Sequence, residues 1–228
     1  MPRPEFSIIL NTYDTDKAQR HMTIACIGEI VRFTDPPYEL IVVDNEPQWA
    51  IRDDYKVFPK YKTIVVDPKK TVYDSYNIGA EAAKSNKLMF IQSDVFVHER
   101  TLNKLSIYLD KWDMAFPQQI ELSRADTIKV AEVPDGEDTH IGWRDAGLVA
   151  IRREAFEDAG GWDARFRNIL GEKAFFQRCD DVGIHWTDRT NAFISHIKAG
   201  NNLRKPEALY SDEMSYDAKL GTEEYGGI

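Results

Sequence analysis

A mostly parallel α/β sheet flanked by helices is the fold class this sequence predicts, and three observations predict it. Short apolar runs of strand length recur along the first hundred residues. Segments with apolar residues at helical spacing lie between them. Polar side chains cluster directly after three of the runs, which is where ligands bind in sheets of this kind.

Each element has its own signal. Phe6-Ser7-Ile8-Ile9-Leu10 reads as a buried strand. Asp16 can cap a helix from about Lys17 to Phe33, with Met22, Cys26, Ile27, Ile30 and Val31 on one face. Pro36-Pro37 ends it. Leu40-Ile41-Val42-Val43 and Thr63-Ile64-Val65-Val66 read as the second and third strands. Tyr73 to Ser85 reads as a helix containing Ala80, Ala82 and Ala83. Leu88-Met89-Phe90-Ile91 is a fourth strand, followed by a helix from about Arg100 to Leu109. Residues 118–145 are polar, with Pro134-Asp135-Gly136 as a turn, and read as loops. Ala146 to Ile151 is a further apolar strand. Residues 172–180 suit an amphipathic helix, and Ala192-Phe193-Ile194 is a late apolar run just before His196.

Composition narrows the class. The 228 residues suit one large domain or two small ones, and 43% hydrophobic content is enough for a core. No apolar run is long enough to cross a membrane. The N-terminus lacks the basic start and apolar segment of a signal peptide. Cys26 and Cys179 lie far apart, and Cys26 falls in an apolar helical pattern, so a reduced, cytoplasmic compartment is expected. The net charge of -9 argues modestly against a nucleic acid bound through its phosphates, though a local basic patch stays compatible with one. No C-x-x-C or H-E-x-x-H spacing suggests zinc.

The chemistry-bearing stretches follow the strands. They are Asn11-Thr12-Tyr13-Asp14, Asp44-Asn45-Glu46 and Gln92-Ser93-Asp94. Ser75-Tyr76-Asn77-Ile78-Gly79 opens the helix before the fourth strand. Downstream come Gly160-Gly161-Trp162-Asp163, then Gly171-Glu172, then Arg178 and Gly183. Over about residues 5–200 this succession resembles the glycosyltransferases of the GT-A fold, especially the inverting family 2. There a Gly-Gly-aromatic-Asp turn precedes Glu-Asp, an Arg follows that Asp by six residues, and a Gly follows the Arg by five. Arg178 and Gly183 keep both spacings, and Glu172 stands where the family's Asp belongs.

The resemblance implies a Rossmann-like GT-A domain over residues 1–203. A nucleotide-sugar-binding half would span about 1–98 and an acceptor-binding half 99–203. Residues 204–228 would be a tail, either a lid or a disordered end. Thr12 and Tyr13 would contact the base and ribose, and Asp44 the base edge. Asn11 replaces the family's usual Pro. Asn77 and Gly79 match a donor-side motif in which Tyr76 replaces an Arg, and Gly79 would approach the nucleotide or simply pack the helix on the sheet. Gln92-Ser93-Asp94 stands for the D-x-D that meets the donor, with its first Asp lost. Asp94 would hold Mn²⁺ or Mg²⁺, which needs few protein ligands when phosphate and water complete the set. His196 would be the second ligand or else a hydrogen-bonded structural residue.

Glu172 would be the general base that takes the acceptor's proton, since an alcohol is a weak nucleophile until something accepts it. An acid at a helix start is also expected from the dipole alone. Asp163 is the next candidate for the base. Trp143, Trp162, Asp163 and Arg178 would line the acceptor side, the two Trp residues by stacking or merely by packing. The acceptor would be a glycan, a lipid-linked group, a protein or a small molecule. A catalytically silent GT-A domain that binds nucleotide or glycan is the alternative. A nucleotidyltransferase is a third reading, but residues 11–16 lack the Gly-rich phosphate loop it would need.

Overall fold

In the computed structural model, the first apolar run forms β1 (Phe6–Thr12), the third strand of a seven-stranded sheet whose middle strand is β4 (Lys87–Gln92). The structure describes residues 3–12, 17–45, 61–66, 70–122, 147–166 and 170–197. β1 has β2 (Tyr38–Asp44) on one side and β4 (Lys87–Gln92) on the other, both parallel to it. β3 (Tyr61–Val65) extends the parallel set beyond β2. On the far side of β4 lie β8 (Leu148–Arg152), β6 (Met114–Ala115) and β9 (Trp186–Thr187). β8 runs antiparallel to both its neighbours, and β9 is parallel to β6. The sheet order is therefore β3-β2-β1-β4-β8-β6-β9, mostly parallel as predicted.

Side chains alternate across this sheet, so each strand feeds two cores. Ile9, Ile41, Val43, Phe90 and Val149 face α2 (Val72–Ala82), α4 (Arg153–Asp158) and α5 (Leu170–Asp181). Ile8, Leu10, Val42, Met89 and Ile91 face α1 (Lys17–Phe33) and α3 (Thr101–Tyr108). Burial on both faces explains why the strands read as continuous apolar runs rather than as alternating ones. α1 has the bounds the periodicity predicts, and it buries Cys26 and Ile27 as expected. Asp16, its expected cap, lies outside the described residues. α2 starts at a capping box: the Thr71 hydroxyl accepts from the Asp74 amide, and the Asp74 carboxylate accepts from the Thr71 amide.

The stretch from residue 118 is corrected. Gln118–Leu122 is a strand, β7, not a loop. It joins a second sheet of order β5-β10-β7, with β5 at Val95–Val97 and β10 at Phe193–Ile197. Its Gln-Gln-Ile-Glu-Leu sequence looks like surface, but parallel pairing with β10 supplies its backbone partners. Residues 123–146 lie outside the described residues.

Candidate functional site

The C-terminal ends of β1, β2 and β4 bring together most of the predicted donor residues. Thr12 pairs in register with Asp44, and Asn11 with Gln92. Thr12, Asp44 and Asn45 are buried. Asn45 is pinned by its amide to the Thr12 carbonyl at 3.0 Å and by Nδ2 to the Lys70 carbonyl at 2.9 Å. Among the described residues, four buried oxygens at these strand ends meet no hydrogen-bond partner: Asn11 Oδ1, Thr12 Oγ1, Asn45 Oδ1 and Asp94 Oδ1. A buried polar atom left unmet costs about 1–3 kcal/mol. Such a concentration at one sheet edge marks a place built to meet a polar ligand. Tyr13 lies outside the described residues.

Gln92, Ser93 and Asp94 form the exit of β4 and the turn into β5. Gln92 Nε2 donates to Glu172 Oε1 at 3.4 Å. Glu172 sits in the first turn of α5, so the helix start delivers this carboxylate to the end of the central strand. Asp94 is stapled to β10 by the Ile197 amide, which donates to its carbonyl at 3.0 Å. On β10, His196 Nε2 stands 3.6 Å from Asp94 Oδ1. Asp94 Oδ1 is one of the unmet oxygens.

A carboxylate oxygen and an imidazole nitrogen facing each other at 3.6 Å are the residues here that would hold a divalent cation. The carboxylate is a fitting donor for Mn²⁺ or Mg²⁺, and the imidazole adds a nitrogen donor beside it. Among the described residues no group of three or more His, Cys, Asp or Glu could hold an ion, so phosphate and water would complete the set.

Several predicted residues hold the fold at this edge instead. Gly160 and Gly161 have φ of +76° and +67°, in the left-handed region that only glycine enters readily. The Gly161 amide donates to the Phe156 carbonyl, closing α4 in a Schellman turn. Asn77 clamps the next residue, donating from Nδ2 to the Trp162 carbonyl at 2.7 Å and accepting from the Trp162 amide at 3.0 Å. Its side chain is thus committed to the turn, not to a donor.

Trp162 is 2% exposed and stacks on Phe175 at 4.1 Å and on Tyr73 at 5.5 Å. Both ring faces are covered, so it has none to offer a sugar. Arg178 donates to the carbonyls of Ala159, Gly161 and Ala174. Burial lowers its pKa, and its part is to lash α5 to the Gly-Gly turn. Gly183, five residues on, has φ +77° and ends α5: the Ile184 amide donates to the Cys179 carbonyl. The Arg-Gly spacing is thus a helix-end signal. Gly79 is explained by packing, because a Cβ there would meet Ile9 Cγ2 at 2.3 Å. Trp143 lies outside the described residues, as does the tail 204–228.

Asp163 is held by Arg165, whose Nη2 approaches to 2.7 Å and Nε to 2.9 Å. Burial pushes the Asp163 carboxyl up, but the Arg165 hydrogen bonds and the charges of Arg165 and Arg178 outweigh it. The net pKa lies below the usual carboxylate range. A paired, more acidic carboxylate is a weaker proton acceptor than one of ordinary acidity, which counts against Asp163 as a base.

Sequence reasoning missed two neighbours of the site. Gln119, on β7, places Nε2 at 3.1 Å from His196 Nδ1. Gly147 leaves room for both side chains. Nothing local signals either residue, since the β7–β10 pairing alone brings Gln119 to His196. Two cavities among the described residues, of about 430 and 480 Å³, lie elsewhere. The first is ringed by charges most of which are paired, such as Lys87 with Asp110 at 2.6 Å.

No family model matches the sequence, and no curated protein matches it. Solved structures do. The chain is similar to TarS 1–349 of S. aureus in complex with UDP-GlcNAc, with a TM-score of 0.68 and 14% identity over 94% of this chain and 66% of that one. It is similar to the same protein with UDP, at 0.65 and 13% over 94% and 65%. GalNAc-T7 with UDP, GalNAc and Mn²⁺ matches at 0.65 and 14%, over 84% and 43%. The chain thus spans just under two thirds of TarS 1–349 and less than half of GalNAc-T7. These likenesses, with the mostly parallel seven-stranded sheet, show an α/β protein of the GT-A fold.

Proposed function

We propose that this protein is a glycosyltransferase that moves a sugar from a nucleotide-sugar donor to an acceptor hydroxyl with inversion, as the family 2 resemblance suggests. The observation that carries the reading is the meeting of Glu172 with Gln92 at the end of β4, two residues from Asp94 and in register with Asn11, at the same end of the sheet as the unmet oxygens of Asn11, Thr12 and Asn45. That edge can receive a nucleotide on one side and a reacting hydroxyl on the other. The structural neighbours solved with UDP, UDP-GlcNAc, or UDP with GalNAc and Mn²⁺ make a UDP-sugar the first donor to test.

Each residue has a part. Asp44 accepts a hydrogen bond from a base N–H, with Thr12 and Asn45 beside it. Glu172 Oε accepts the proton of the acceptor hydroxyl as its oxygen attacks the anomeric carbon and the bond to the diphosphate breaks. A positioned base contributes about 10²–10⁴-fold. Asp44, Asp94 and Glu172 bring three acidic side chains to this end of the sheet, and like charges there repel an incoming anion. A diphosphate there needs a counter-charge. Asp94 and His196 would hold a Mn²⁺ or Mg²⁺ ion, which supplies Lewis-acid neutralisation of the leaving group.

Incubation with a panel of sugar nucleotides and acceptors, with and without Mn²⁺, tests the reading. Acceptor-dependent release of nucleoside diphosphate and an inverted anomeric product by NMR are expected, with activity lost in EDTA and restored by the ion. Full activity after exhaustive chelation removes the metal from the proposal. Pyrophosphate exchange would indicate a nucleotidyltransferase. Donor binding without turnover would indicate a silent GT-A domain, the reading favoured by Gln92 in place of the first Asp of D-x-D.

A further inference from the structure

We propose that Gln119 is the positioning residue that sets which nitrogen of His196 carries the proton, and so whether His196 can accept a cation. This rests on the reading of Asp94 and His196 as a metal pair. Gln119 is 7% exposed, and its amide lies 3.1 Å from His196 Nδ1. On the other side of the ring, Nε2 faces Asp94 Oδ1 at 3.6 Å. His196 therefore stands between an amide and a carboxylate on its two nitrogens.

The two ends of an amide differ in one decisive way: the NH₂ group donates and the oxygen accepts. With Gln119 Nε2 toward the ring, Nδ1 must be the acceptor. The neutral ring then carries its proton on Nε2, aimed at Asp94, and no lone pair is free for an ion. With Oε1 toward the ring, Nδ1 carries the proton and the Nε2 lone pair faces the Asp94 carboxylate. That second state places two electron-rich atoms against each other and is favoured only when a cation lies between them.

Passing between the states requires Nε2 to lose a proton to solvent and Nδ1 to gain one from it, so the ring stays neutral. The Gln119 amide rotates to follow. Partners on the far nitrogen of a metal-bound imidazole commonly fix its tautomer, and their loss costs about 10–100-fold in metal affinity. The β7–β10 register makes the contact. His196 pairs with Glu121, and Gln119, two positions back, shares its face of the strand.

The test uses the full chain and Mg²⁺ or Mn²⁺ with UDP as probes. Imidazole ¹⁵N spectra of the metal-free protein should show the proton on Nε2 of His196, and with Mg²⁺ and UDP on Nδ1. Calorimetry should show Mn²⁺ binding weakened about 10–100-fold in Gln119→Met, while Gln119→Glu, a permanent acceptor, binds at least as tightly as wild type. Melting curves identify a variant that fails to fold, and the wild-type spectra then decide alone. An Nδ1 proton in the metal-free protein, or equal Mn²⁺ affinity in wild type and Gln119→Met, overturns the role of Gln119 and leaves the metal pair standing. Absence of Mn²⁺ binding to the wild type in the presence of UDP overturns both.

Discussion

Gly171 stands immediately before Glu172, where the resembling family carries a Glu, and replacing it with Ala should destabilise the protein. A Cβ at this position would lie 2.3 Å from Tyr73 Cε2, 2.6 Å from Tyr73 Cζ and 2.8 Å from Phe166 Cβ. Carbon atoms in good contact sit about 3.5–4.0 Å apart, so something must move by more than an ångström. Tyr73 has nowhere to go: it is 1% exposed and stacked against Trp162. Phe166 Cβ is tied directly to the backbone. Overpacking of this kind costs about 1–3 kcal/mol and occasionally more, against about 1 kcal/mol gained when Ala replaces Gly inside a helix.

The net expectation is a loss of up to about 2 kcal/mol, which for a chain of this size lowers Tm by up to roughly 8 °C. Urea denaturation gives the measurement, read as a shifted midpoint at unchanged slope. Gly28→Ala in α1 is the control, since a Cβ there meets nothing within 4 Å, and it should be neutral or stabilising. If Gly171→Ala proves as stable as Gly28→Ala, Tyr73 does not fill this space. The local explanation for Gly-Glu in place of Glu-Asp then fails.

Three further outcomes are expected. Glu172→Gln should keep donor affinity but lower transfer about 10²–10⁴-fold, whereas near-normal transfer in a folded protein would remove Glu172 as the base. Asp44→Ala should weaken nucleoside diphosphate binding by calorimetry without unfolding the chain, and unchanged affinity would take Asp44 out of the pocket. Asp163, with a pKa below its ordinary value, contributes stability that is present above the usual carboxylate range near 3.9 and lost as pH falls through its folded pKa. Wild type should therefore exceed Asp163→Asn in urea midpoint at pH 6, with the gap closing on acidification below about pH 4. A gap that persists at pH 2 would show that the carboxylate's charge is not the cause.

Much of the fold was legible before any coordinates. α1 was readable because its buried stripe, Cys26, Ile27 and Ile30, repeats at the helical period, and β1 and β2 because doubly buried strands are unbroken apolar runs. β7 was not readable, since its polar sequence is stabilised by pairing with a strand some 75 positions away. The two-residue strands β6 and β9 are too short to carry any periodicity.

At the site the division is just as physical. The sequence alone determined which residues end the strands: Thr12, Asp44 and Asp94 follow apolar runs, and loops after such runs must be polar. It also marked the Gly-Gly and Gly183 positions, whose positive φ only glycine takes without strain. Tertiary structure alone decided the use of each side chain. Asn77, Trp162 and Arg178 carry the same chemistry whether they face a ligand or a neighbouring turn, and only packing directs them to the turn. Gln119 reaches His196, and Glu172 reaches Gln92, across gaps in sequence that no local pattern spans. A residue type states what a group is able to do, while the neighbours that fix its direction and burial come from the whole chain at once.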